Sequence, residues 1–196
     1  MTRSVAILAF DQMEALDFAG PFEVLTTASR VAQGRGLAAP FEVSCVADAP
    51  TVRARAGLTI HVDHHLRDVA TADIVVVPGG VTSAAERNVV LTTWLSAIAA
   101  RAQIMASVCT GVFILAAARV VTTHDVTTHW EDADDLAARY PDLHVRRDVR
   151  WVDEGSVVTS AGINAGLDMS LHLVSRLASD DLAVATARQM DYDWRR

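Results

Sequence analysis

Cys109 sits in Ser107-Val108-Cys109-Thr110-Gly111, where an apolar run gives way to a helical pattern across small residues. That is the setting of a nucleophile elbow, although Ser107 stands where the G-x-S-x-G form has its first glycine. A thiol at a helix N-terminus faces unpaired N–H groups, and such placement can lower its pKa from ~8.5 into the range ~3.5–7.5. The competing reading is a small buried hydrophobe, because free cysteine is among the most buried residue types. Asp17 is the second candidate. A carboxylate inside Leu16-Asp17-Phe18-Ala19-Gly20-Pro21-Phe22 must find a partner or keep its proton, so it either caps a helix ahead of Pro21 or exchanges a proton with Cys109. Pro78-Gly79-Gly80 closes another apolar run, and the N–H groups of Gly79 or Gly80 are expected to face the thiol as an oxyanion site.

The remaining chemistry-bearing residues carry weaker patterns. His129, in Thr127-Thr128-His129-Trp130, ends an extended segment before a helix and suits a pocket wall or a structural role equally. His61, His64 and His65 lack a carboxylate or thiolate in register, so they read as surface and no metal site is expected. His124, His144 and His172 carry no motif, and Cys45 lies inside a strand pattern as a structural residue. Neither G-x-G-x-x-G nor a P-loop occurs, so nucleotide cofactors are not supported.

The elements that must position these residues alternate. Continuous apolar runs at Ser4–Phe10, Phe41–Ala47, Asp73–Val77 and Gln103–Val108 suit strands buried on both faces of a parallel sheet. Helices are expected from Pro21 to about Ala32, over Ala84–Arg101, Val112–Ala118 and Glu131–Tyr140, and as a final pair over Ala165–Ser179 and Asp180–Met190. Val52–Val62 and Val149–Thr159 read as hairpins, and Val126–His129 as extended. Alternating strands and helices imply right-handed crossovers and an α/β sandwich, a mainly parallel sheet with helices on both faces. In such sheets ligands gather outside the carboxyl ends of the strands, where Asp17, Gly79 and Cys109 all fall.

Composition narrows the function classes. The chain has 196 residues, 51% of them hydrophobic and 21% charged, with 5 Pro and 10 Gly; residues 1–196 read as a single globular domain rather than a linker or a disordered tail. A formal charge of −7, from 24 acidic and 17 basic residues, repels phosphate backbones and anionic lipid surfaces, so no nucleic acid or membrane partner is expected. Two unpaired cysteines and the lack of a signal-like N-terminus or a long apolar span lead to an expected cytoplasmic location.

Leu16–Val24, Val75–Gly80, Ser107–Ala118, Thr127–Trp130 and Thr159–Val174, in that order, resemble the ThiJ/PfpI superfamily. The resemblance implies the flavodoxin-like three-layer sandwich of class I glutamine amidotransferases, a homodimer, a small-molecule substrate and no cofactor. Within the superfamily the motifs are similar to isonitrile hydratases and to the ligand-sensing domains of AraC-type regulators. PfpI-like peptidases place a histidine after the nucleophile; here Thr110 stands there, which disfavours proteolysis. The hydratase likeness implies that Cys109 attacks the isonitrile carbon to form a thioimidate, that Asp17 manages the proton and water, and that Thr110 assists. A stand-alone sensor and a glyoxalase- or deglycase-like activity are the alternatives. The regulators continue into a helix-turn-helix, for which this chain leaves no room, and Asp17 replaces the glutamate of the deglycases. The chain departs from the superfamily pattern in its proline-free tail, Asp191–Arg196, and at Asn164.

Overall fold

A computed structural model describes residues 1–196. Its elements run β1 (Arg3–Leu8), α1 (Ala15–Gly34), β2 (Phe41–Ala47), β3 (Thr51–Arg53), β4 (Thr59–His61), β5 (His64–His65), β6 (Ile74–Val77), α2 (Ser83–Arg87) and α3 (Val89–Ala99). They continue with β7 (Ile104–Val108), α4 (Gly111–Ala117), β8 (Asp125–Val126), α5 (Ala133–Arg139), β9 (His144–Val145), β10 (Trp151–Asp153), β11 (Val157–Ser160), α6 (Ala165–Leu177) and α7 (Asp180–Gln189). Seven strands form one sheet in the order β10-β11-β7-β6-β1-β2-β5, parallel throughout except for the β10–β11 pair. Helices α1, α6 and α7 pack together on one face, and α2, α3 and α4 on the other. With both faces covered, β6 and β7 are buried at every residue, which is why they read as unbroken apolar runs.

The chain leaves β1 toward β2 on one side and returns to β6 on the other. The β1–β6 pair is therefore the topological switch point, and the crevice beyond its carboxyl end is the natural ligand position in such sheets.

Three local expectations are corrected. Helix α1 begins at Ala15, so Pro21 lies inside it and Asp17 belongs to its first turn. Burial of Phe18, Pro21, Val24, Leu25, Ala28 and Ala32 along one stripe outweighs the donor that Pro21 lacks. The helix expected over Ala84–Arg101 is two helices, because the Asn88 side chain accepts from Val90 N and Leu91 N at 3.0 and 3.2 Å and starts α3 afresh. His64–His65, read from the sequence only as surface, forms an edge strand that pairs with the end of β2. In the segment expected to be extended over Val126–His129, only Val126 is strand. Thr127 N–H and the Thr128 hydroxyl are instead held by Thr159 Oγ1 at 2.9 Å and Cys109 O at 3.0 Å.

Candidate active site

The elbow between β7 and α4 places Cys109 at φ +57°, a left-handed conformation uncommon outside glycine. Three contacts hold it there: Cys109 N–H donates to Ser160 O at 3.1 Å and Ala161 O at 3.3 Å, and Cys109 O accepts from the Thr128 hydroxyl. The next turn can approach β6 only because residue 111 is glycine; a Cβ there would lie 2.2 Å from Val77 O.

Asp17 reaches the same point from the first turn of α1. It is completely buried, Oδ2 accepts from Gly79 N–H at 3.1 Å, and Oδ1 has no hydrogen-bond partner. Gly79 lies so close that a Cβ on it would stand 2.6 Å from Thr110 N and 2.9 Å from Asp17 Oδ2, so no larger residue fits between Asp17 and Thr110. Burial raises the Asp17 pKa to about 7. The Gly79 N–H and the neighbouring Cys109 thiol pull it down, and the Glu14 charge pushes it up. The cap reading does not hold, since the N-cap of α1 is Glu14 and Asp17 faces the thiol.

The expected depression of the thiol pKa is also corrected. Burial and the Asp17 charge push Cys109 up to about 12, Asp132 adds to this, and only the Thr110 N–H directed at the sulfur opposes them. Helix α4 has seven residues, and its N-terminus does not outweigh burial beside two carboxyl groups. The resting pair is therefore a neutral thiol beside a carboxyl group whose proton is exchangeable near neutrality.

Gly79 and Gly80 are in place, but their donors are taken: Gly79 N–H by Asp17, and Gly80 N–H by Thr110 Oγ1 at 2.9 Å. The Thr110 hydroxyl returns the bond to Gly80 O at 3.0 Å. Neither glycine N–H is thus a free oxyanion donor, and the amide that addresses the sulfur is that of Thr110. His129 caps a short 3₁₀ turn over Trp130–Asp132, with Nδ1 accepting from Glu131 N at 3.4 Å. Its ring lies 5.7 Å from that of Trp130 and presses on Gly162, where a Cβ would meet His129 Cδ2 at 2.1 Å. A cleft of about 570 Å³ opens there, walled by His129, Trp130, Arg150, Ile163 and Asn164. A larger hollow of about 840 Å³, lined by Arg30, Arg35 and Arg188, lies between the C-terminal ends of α1 and α7, away from the strand ends.

Sequence reasoning missed Asp132, whose charge acts on Cys109, and Thr128, which anchors the elbow. It also missed Asp168, wholly buried in α6; a carboxylate within Leu167-Asp168-Met169-Ser170-Leu171 was the available signal. Cys45 is buried in β2, as its strand pattern implied. No group of three or more His, Cys, Asp or Glu side chains is arranged to hold a metal ion.

Against this geometry, the DJ-1/PfpI family model matches residues 3–176. The chain belongs to the DJ-1/PfpI family. Among curated relatives, an isonitrile hydratase of Pseudomonas putida is 31% identical over 195 residues, covering 98% of this chain and 79% of the relative. The transcriptional regulator GbdR of Pseudomonas aeruginosa is 29% identical over 97% of this chain but only 51% of its own length, so this DJ-1/PfpI chain spans about half of that regulator. Among solved structures, a ThiJ/PfpI family protein from Pseudomonas syringae superposes with a TM-score of 0.87 at 26% identity, covering all of this chain and 77% of that one. Drosophila melanogaster DJ-1beta shares the fold at a TM-score of 0.84 and 19% identity. The flavodoxin-like α/β sandwich is thus that of the family.

Proposed function

We propose that this DJ-1/PfpI protein is a cysteine-dependent hydratase that converts isonitriles to N-substituted formamides. The observation that carries the reading is the buried Asp17–Cys109 pair: burial lifts the carboxyl group to a pKa of about 7, and each of the two groups shifts the proton affinity of the other. A general base is most effective when its pKa lies near the working pH. The isonitrile hydratase relative supplies the substrate class.

Ionised Asp17 takes the Cys109 proton as sulfur bonds to the terminal carbon of R–N≡C, and returns that proton to the same carbon. This leaves a thioimidate, R–N=CH–S–Cys109. Water then adds to the carbon as Asp17 takes one of its protons and passes it to nitrogen, and the remaining hydroxyl proton is the one that Asp17 later returns to sulfur. The carbon–sulfur bond breaks to release R–NH–CHO, and the thiol regains its proton. One water is consumed and no electron changes hands. The Thr110 N–H stabilises charge on sulfur as it forms and leaves, the Thr110 hydroxyl fixes the Gly80 turn, and His129 walls the cleft formed by the loop that holds the Cys109 N–H. The reading includes a single domain over residues 1–196 working as a homodimer in the cytoplasm, in keeping with two free cysteines and no helix long and apolar enough to cross a membrane.

Conversion of an aliphatic isonitrile to its formamide, followed by NMR, tests this. Wild-type protein turns over and Cys109→Ala does not; undiminished conversion by the variant refutes the reading. A second reading, a ligand sensor that does no chemistry, is favoured by the likeness to GbdR over 97% of the chain. Binding of an isonitrile without product over hours would select it, and loss of methylglyoxal in parallel samples would point to the glyoxalase-like alternative.

A further inference from the structure

Asp168 lies in the first turn of α6, fully buried, and its partners come from segments far apart in the chain. The Arg150 guanidinium pairs with Oδ2 and also donates to Asn164 Oδ1 at 3.3 Å. Oδ1 accepts the Tyr192 hydroxyl at 3.0 Å and Arg195 N–H at 3.0 Å. The Tyr192 hydroxyl also stands 3.4 Å from Asn164 O, while Tyr192 and Trp194 pack their rings against the core. A buried carboxylate with one cation and two neutral donors is fully satisfied, so the network is rigid rather than adaptable.

What this network touches is the cleft. Asn164 ends the loop that follows β11, and the same loop supplies Ala161 O to Cys109 N–H and Gly162 to the underside of His129. The segment beyond α7 is therefore fastened, through Asp168 and Asn164, to the loop whose Ala161 O holds the Cys109 N–H.

We propose that Tyr192 is a positioning residue that, through its hydroxyl on Asp168 and Asn164, holds the 161–164 wall against the Cys109 elbow and so limits access to the sulfur. The proposal rests on Cys109 being the group that reacts, but not on the identity of the substrate.

Tyr192→Phe removes the hydroxyl and keeps the ring packing, so the chain still folds. Two readouts apply to the full-length protein: amide hydrogen exchange of residues 161–164, and alkylation at the Cys109 peptide by N-ethylmaleimide as a function of pH. Losing one hydrogen bond should raise both exchange and alkylation roughly two- to tenfold, with exchange of the α4 amides and the slope of alkylation rate against pH between pH 6 and pH 8 unchanged. Arg196→Ala is the control, since Arg196 pairs with Asp180 at 3.2 Å and stacks on Trp194 without touching Asp168. The proposal is overturned if Tyr192→Phe behaves as wild type, if Arg196→Ala accelerates equally, or if exchange rises at every peptide. Neither readout uses an isonitrile, so its outcome is separable from failure of the hydratase reading.

Discussion

Asp17→Asn tests the buried carboxyl most directly, because it should raise stability while removing activity. Folding lifts the Asp17 pKa from 3.8 to about 7, so between those values the native state holds a proton that the unfolded chain has released. Stability must therefore fall as pH rises through this window. At 1.36 kcal/mol per pKa unit the ionisation costs roughly 2 kcal/mol at pH 5 and roughly 4 kcal/mol at pH 8, relative to a side chain that never ionises. The amide retains an oxygen for Gly79 N–H and carries no charge, so its advantage over wild type should grow by roughly 2.5 kcal/mol between these two pH values. Cys109 stays a thiol throughout, since its pKa is about 12, and does not confound the comparison. Urea denaturation of both proteins at pH 5 and pH 8 reads the difference. An advantage that is flat or shrinks with pH would refute the claim that burial dominates at this carboxyl. Turnover should meanwhile fall by ~10²–10⁴, the contribution of a positioned acid or base.

Other consequences follow from the same geometry. Isonitrile turnover by the wild type should rise with pH to a midpoint near 7 as Asp17 ionises; a flat profile from pH 5 to pH 9 would contradict the general-base role. Iodoacetamide should modify Cys109 slowly at pH 7 and faster with each step upward through pH 9, because burial keeps the thiol protonated. A midpoint below pH 7 by mass spectrometry would mean that the N–H groups of the elbow prevail after all. Gly79→Ala forces a Cβ to within 2.6 Å of Thr110 N, so the Asp17–Gly79–Thr110 contact must open. A loss of about 1–3 kcal/mol in chemical denaturation, with activity falling alongside, is expected, and full activity would show that the contact is dispensable.

The architecture was legible because burial on both sides leaves a mark on composition: a strand such as Ile74–Val77 has no solvent face and so carries no polar residue. Boundaries were less legible. The start of α1 was misread because local rules place Pro21 early in a helix, whereas a buried stripe can outweigh one missing donor. Two-residue strands such as β5 and β9 are too short to show any period, and their pairing is set by partners distant in sequence.

At the site, sequence alone determined which residue types stand at the carboxyl ends of β1, β6 and β7: an acid, a glycine pair and a thiol on a sharp turn. Only the tertiary structure decided their protonation, which residues close the cleft, and that the glycine amides are already engaged. The reason is that residue type and spacing are properties of the chain, whereas proton affinity depends on how much water packing removes and on which charges from other segments it brings near. Asp17 and Cys109 stand far apart in sequence and share one buried environment, and that environment, rather than either residue's neighbours along the chain, places a carboxyl near neutrality and keeps a thiol protonated.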